Sequence, residues 1–218
     1  MKSDFKKRRK ILMDKIGDDS VLIIPSARHY KRTRDVEYPY RQDSDFFYLT
    51  GFGESDSLMM LIPDRKNGQF ILFCKDKDPL KERWDGPIAG PIEAKKDFDA
   101  DQSYAIDKIE ELLPNLIKGK KLIYAPYDKD EKFFLRLKKW IQSSDRLLKI
   151  KNSKTKILNS SDILHEIRLI KSESEIRKMR KAARIAVDAH RITMSKVKIF
   201  RYEYELEAEI KYEFAKSN

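Results

Sequence analysis

Apolar residues fall into two rhythms along the first 150 positions of this chain, one helical and one extended. Over 4–16, DFKKRRKILMDKI, the residues Phe5, Leu12 and Ile16 share one face and Gly17 follows as a stop, which predicts a helix. SVLIIPS (20–26) is short, β-branched and closed by Pro25, and reads as a strand. SLMMLIP (57–63) and QFILFC (69–74) read as a hairpin, because DRKNG between them carries an Asn-Gly turn signal. Ile106, Ile109, Leu113 and Ile117 recur at helical spacing over 106–117, although Pro114 predicts that the last turn kinks or begins anew. KLIYAP (121–126) is a further strand and DEKFFLRLKKWIQ (130–142) a further helix, while DRLLKI (145–150) reads as a strand or the lead-in to one. Strands alternating with helices, plus one hairpin, predict the α/β class: a mixed β-sheet flanked by helices.

The rhythm changes after residue 151. KNSKTKILNSSD (151–162) is polar and aperiodic and reads as a connector, so two domains are expected, 1–160 and 161–218. Ser172 and Glu175 form a capping-box pattern at a helix start. Beyond it Ile176, Met179, Ala183, Ala186, His190 and Met194 form one stripe, with His190 expected to be half-buried. Leu206, Ile210 and Phe214 mark a second helix. Such faces need a partner surface. The stop at Asn218 favours a further domain outside this chain over the preceding sheet.

Composition narrows the class. The 218 residues carry 47 Lys and Arg against 36 Asp and Glu, a net charge of +11 that invites a nucleic-acid partner. Acids interrupt the bases everywhere except in MKSDFKKRRK, and no nucleic-acid-binding motif appears, so lysine-rich solubility is the favoured reading and nucleic acid is not an expected partner. The lone Cys74 lies in an apolar run and reads as a buried small hydrophobe in a cytoplasmic protein. Apolar runs are too short for a membrane span, and no signal peptide is expected.

Chemistry is sparse. His29, His165 and His190 are scattered, and HEIRL has Leu169 where a second zinc-binding histidine would stand. No nucleophile elbow, Walker loop or dinucleotide fingerprint is present. A Cys74–His dyad would need a reactive thiol in an apolar strand, where thiols are inert. Around RDVEYPYRQDSDFFYLTGF (34–52), Arg41 and Asp45 read as a structural bracket about a short helix capped by Asp43 or Ser44, with Asp35 and Glu37 beside it. No catalytic or metal-binding residue is identified from the residues themselves.

Three segments nevertheless resemble one family. EYPYRQDSDFFYLTGF (37–52), WDGPIAGPIEA (84–94) and HEIRLIKSESEI (165–176) are similar, in order, to motifs of aminopeptidase P, the Xaa-Pro aminopeptidases. The resemblance implies an N-terminal α/β domain related to those of creatinase and prolidase, then the first helices of an incomplete pita-bread domain. It also implies a full-length enzyme that removes the N-terminal residue from peptides with proline at position two. In such enzymes two manganese ions activate a bridging water by lowering its pKa. The ligand segments would lie beyond Asn218, so this chain is expected to bind no metal and to be inactive alone.

By the same resemblance, the chain would help build a homo-oligomer and wall the substrate entrance. Asp35 and Trp84 match positions for that role. Glu37, Tyr38, Tyr40, Arg41, Asp45, His165 and Arg168 belong to the matching motifs as scaffold. Two alternatives share the architecture: a non-enzymatic binding module and the N-domain of a prolidase.

Overall fold

The computed structural model describes residues 2–150 and 154–217. The chain divides into two compact units, Met1–Ile167 and Arg168–Asn218. The first contains, in order, α1 (Lys2–Ile16), β1 (Ser20–Pro25), α2 (Ser44–Thr50), β2 (Leu58–Leu61), β3 (Phe70–Cys74), α3 (Pro79–Asp85), α4 (Gly90–Phe98), β4 (Gln102–Ala105), α5 (Ile109–Leu116), β5 (Leu122–Ala125), α6 (Glu131–Leu147), β6 (Lys156–Asn159) and most of α7 (Ser160–Leu169). The second contains α8 (Glu173–Lys196) and α9 (Glu203–Lys216).

The strands form one mixed sheet in the order β4-β3-β2-β1-β5-β6. The expected hairpin is present: β2 and β3 pair antiparallel, with Met60 opposite Ile71. β1 joins β2 antiparallel and β5 parallel, so it lies in the middle of the sheet. The outer pairs, β3 with β4 and β5 with β6, are parallel.

Alternation along each strand sends side chains to two different cores. Leu22, Ile24, Met59, Leu61, Leu72 and Cys74 meet Leu12 and Ile16 of α1, Phe46 and Leu49 of α2, Ala94 of α4 and Leu164 of α7. Val21, Ile23, Leu58, Met60, Ile71 and Phe73 meet Ile109 and Leu113 of α5 and Phe133, Leu137 and Trp140 of α6. Both faces are covered, which explains why the central strands are continuously apolar instead of alternating with polar residues.

Several elements differ from expectation. DRLLKI is not a strand. Helix α6 runs on through Leu147, and the Leu148 and Ile150 amides donate back to the carbonyls of Ser144 (3.2 Å) and Asp145 (3.0 Å). The strand forms later, as β6 inside the expected connector, whose residues 151–153 lie outside the described residues. Strands β4 and β6 flank the sheet and are short and half-exposed, so they lack the apolar runs that reveal the inner strands. Helix α5 includes the buried Pro114. Leu164 of α7 is buried in the first core, and the first unit runs to Ile167.

The Ser172–Glu175 capping box forms as expected, with the Ser172 amide donating to Glu175 Oε2 at 2.8 Å. The stripe of α8 is largely exposed within this chain, and His190 is not half-buried as expected. Ala189 and Thr193 are buried, whereas Met179 and Met194 are 56% and 72% exposed and His190 is exposed too. Burial here is set by packing against α9, which also supplies Glu209 to Lys196.

Leu22→Ala should therefore cost about 2–5 kcal/mol of stability in urea denaturation, as deletion of a fully buried leucine does. Met194→Ala should stay within about 0.5 kcal/mol.

Candidate functional site

The segment between β1 and β2 folds around a projecting loop. Residues 30–38 turn back on themselves: the Tyr38 amide donates to the Tyr30 carbonyl at 2.9 Å, and the Arg32 amide to that of Val36 at 2.8 Å. Lys31 and Glu37 form an isolated antiparallel bridge. The turn puts Asp35 at the exposed end. At the base, the Glu37 carboxylate meets His29 Nδ1 at 2.8 Å, and the His29 ring stacks on Tyr40 with centroids 4.6 Å apart. Burial, then the charges of Asp56 and Asp43, push the Tyr40 hydroxyl up to about 12, so it stays protonated at neutral pH.

Gln42 ties this loop to the domain. Its Oε1 accepts from the amides of Ala27 and Asp43, both at 2.8 Å. Its Nε2 donates to the carbonyls of Glu54 at 2.8 Å and Phe52 at 3.3 Å. One side-chain amide thus joins the strand exit, the helix entrance and the segment leading to β2. Asp43 then caps α2, accepting from the amides of Asp45 and Phe46 at 2.9 Å.

Lys129 pairs with the entrance of α2, where Arg41 and Asp45 are expected to bracket the helix. Its Nζ lies 3.0 Å from the buried Asp45 carboxylate and 3.8 Å from Asp43, while Arg41 is exposed. Burial pulls the Lys129 pKa down, but the hydrogen bond to Asp45 and the charges of Asp45, Asp43 and Asp128 outweigh it and hold the pKa above 10.5. The helix ends at Gly51, whose φ of 69° suits glycine. A Cβ there would meet the Phe5 ring at 2.6 Å.

A cleft of about 690 Å³ lies beside the loop. Asp35, Glu37 and Tyr40 line it together with His29, Lys31 and Arg34. The segment between α3 and α4 contributes Pro87 and Ile88 as an apolar wall. Glu54 holds that wall in place, its Oε1 accepting from the Ala89 amide at 2.7 Å. Cationic Lys31, Arg34 and Lys75 balance anionic Asp35, Glu37 and Glu54 along the lining. Such a mixed polar cleft suits a ligand bearing both charges, such as a peptide. It contains no thiol or metal-ligand set. Cys74 is buried elsewhere, with burial pushing its thiol up to about 11.

The remaining site residues stand apart. Trp84, on α3, is 90% exposed and does not line the cleft. Tyr38 is exposed, and His165 and Arg168 lie on α7. Among the described residues no three His, Cys, Asp or Glu side chains converge as a metal-ligand group. Sequence reasoning missed Gln42, His29, Glu54 and Lys129. The local Gln42–Asp43 pair hints at a cap, but the Lys129 partnership joins positions 84 residues apart, and no local signal carries it.

Comparison with known proteins places this geometry. The family model for the aminopeptidase P N-terminal domain matches residues 5–124. This chain belongs to the aminopeptidase P family. A Xaa-Pro aminopeptidase of Escherichia coli is 32% identical over 98% of the chain, and one of Haemophilus influenzae is 31% identical over 98%. In structure the chain is similar to a Pseudomonas aeruginosa aminopeptidase, with a TM-score of 0.93 and 40% identity over all of this chain and 50% of that one. Aminopeptidase P of E. coli gives 0.92 and 29%, over 99% of this chain and 50% of that one. The aminopeptidase P chain described here spans about half the length of these relatives, 49% of the E. coli and 47% of the H. influenzae sequence, and corresponds to their N-terminal portion.

Two outcomes test the site's construction. Gln42→Leu should cost about 2–3 kcal/mol, since it strands backbone groups at three places, and should speed hydrogen exchange at the Ala27 amide. Lys129→Met should destabilise the domain at pH 7. Because the Lys129 pKa is raised, its stabilising pair is complete below 10.5 and is lost as pH rises through the folded-state value. The stability gap between wild type and Lys129→Met in urea should therefore shrink above that pH.

Proposed function

We propose that this chain serves a Xaa-Pro aminopeptidase, the whole protein removing the N-terminal residue from peptides with proline at position two. Support comes foremost from relatives named Xaa-Pro aminopeptidase that align over nearly the entire chain. In this reading two manganese ions are held by residues of the whole protein outside this chain, and the chain alone is inactive. A solved relative is described as zinc-substituted and in complex with product, which supports metal dependence without favouring manganese.

The role of the chain is to shape the substrate entrance and to join copies into a homo-oligomer. Asp35 on its projecting loop, beside a charge-balanced cleft, is suited to orient a peptide's charged group. Trp84 and Leu80, 90% and 73% exposed on α3, offer an apolar surface to a peptide or a neighbouring subunit. A cytoplasmic location belongs to the same proposal; no helix among the described residues is long and apolar enough to cross a membrane.

The test compares this chain with the whole protein on an Ala-Pro-containing peptide with added manganese. Cleavage by the whole protein alone is expected; robust metal-dependent cleavage by the 218-residue chain would overturn the division of labour. In the whole protein, Trp84→Ala should raise KM roughly 2- to 10-fold, the worth of one aromatic contact, or shift the oligomer mass, with metal content intact. Unchanged kinetics and unchanged mass would remove the assignment of Trp84.

A further inference from the structure

The basic run MKSDFKKRRK has no part in the entrance just described, and the structure splits it in two. Arg8 and Arg9 turn inward: Arg8 Nη1 donates to the Tyr48 carbonyl at 3.0 Å and Arg9 Nη1 to that of Leu49 at 2.9 Å. Lys6, Lys7 and Lys10 are exposed and line a groove of about 1320 Å³ between α1 and α4. Helix α1 presents Ser3, Lys6, Lys7, Lys10, Met13 and Asp14 to it, the spacing of a single helical face. Helix α4 presents Ile92, Lys95 and Lys96 at the same spacing, and Asp99 follows just past its end. The groove shares no lining residue with the cleft beside Asp35.

Its walls and floor differ in character. Lysines stand on both helices. Between them Met13 is half-buried, Ile92 is 80% exposed, and Phe70 and Ala100 close the bottom. The carboxylates at the groove are partly committed: Asp101 Oδ2 accepts from the Gln69 and Phe70 amides at 2.8 Å, and Asp99 lies close to the Arg9 guanidinium. Asp14 and Asp18 remain at the Gly17 end.

We propose that this groove docks an acidic, amphipathic peptide segment of a partner protein, its apolar side chains on Met13 and Ile92 and its carboxylates between the lysines of α1 and α4. Three features select that occupant. Charge complementarity calls for an anion. The volume exceeds the ~300–1,000 Å³ of an ordinary small-ligand site. Nucleic acid is disfavoured because no exposed aromatic ring offers a stacking platform: Phe70 is 2% exposed and lies under the Arg9 guanidinium, 4.1 Å from its ring centre. A groove with cationic rims and an apolar floor matches the way amphipathic helices are bound. The proposal does not depend on the peptidase reading.

The experiment is a fluorescence-anisotropy titration of this chain with a labelled peptide carrying leucines at helical spacing and glutamates elsewhere. The competitors are a scrambled peptide of equal composition, inorganic polyphosphate and a single-stranded oligonucleotide. Saturable binding of the patterned peptide is expected, weakened roughly tenfold or more by Lys6→Glu/Lys10→Glu/Lys95→Glu and severalfold by Ile92→Ser. These side chains are exposed, so circular dichroism should be unchanged; if the triple reversal unfolds the chain, the Lys→Gln set and Ile92→Ser carry the test. Absence of saturable binding overturns the proposal. So does equal affinity for the scrambled peptide or polyphosphate with no effect of Ile92→Ser, and so does tighter binding of the oligonucleotide through the same lysines.

Discussion

The side-chain amide of Gln42 is the point on which the polar half of this domain turns. A loop of some length between β1 and β2 has no ladder of its own, and its backbone groups need partners. Gln42 supplies them at both ends at once, accepting from Ala27 and Asp43 and donating to Phe52 and Glu54. Beyond the β1–β2 pairing, the Ser26–Ser57 contacts at the sheet end and the Tyr40 hydroxyl on the Ala27 carbonyl, Gln42 is what ties the exit from β1 to the approach to β2. With it, the projecting loop and the wall built on Glu54 have a fixed base, and a cleft can keep its shape.

Helix α2 shows how several weak devices hold a seven-residue helix that would not be stable by itself. Asp43 satisfies its first amides, Thr50 Oγ1 donates back to the Phe46 carbonyl at 2.8 Å, and Arg8 and Arg9 take up the carbonyls of Tyr48 and Leu49. Cations at a helix C-terminus also complement its dipole. Burying Arg9 is costly. Burial lowers its pKa to about 10, while Asp99 and Asp101 offset part of that. It stays charged at neutral pH, sandwiched against Phe70. The inward arginines thus hold the sheet-side helix, and their placement leaves the neighbouring lysines pointing outward along one groove.

Legibility followed burial and locality. The inner strands were readable because both faces are buried and their residues are uniformly apolar; β4 and β6, half-exposed at the sheet margins, were not. The hairpin was readable from Asn67 and Gly68, the latter at a φ of 96°. DRLLKI has the apolar content of a strand, but its two leucines favour a helix and Asp145–Leu147 continue α6, with Leu147 and Ile150 exposed. On α8 only the half-burial expected of His190 fails, since His190 is exposed. The period of the stripe is helical and the helix exists, but which face is buried depends on α9, and the local pattern does not encode that. At the site, residues acting on their immediate neighbours, such as Asp43 and Ser172, were visible. Those acting across the chain, such as Lys129 on Asp45 and Glu54 on Ala89, were not.

A strong family signature need not mark a place where bonds are broken. In EYPYRQDSDFFYLTGF, Phe46, Leu49 and Phe52 are fully buried, Gln42 and Asp43 satisfy backbone groups, and Gly51 occupies a backbone conformation backed against Phe5. These demands are simultaneous and each admits few residue types, so the segment is constrained by packing alone. The freedom left is at Tyr38, Arg41 and Phe47, which are exposed, and at the loop before them that carries Asp35. If this segment contributes to recognition, that contribution comes from the few side chains the scaffold does not already use. The signature identifies the family because it is architecture, and the loop that carries Asp35 takes its position from it.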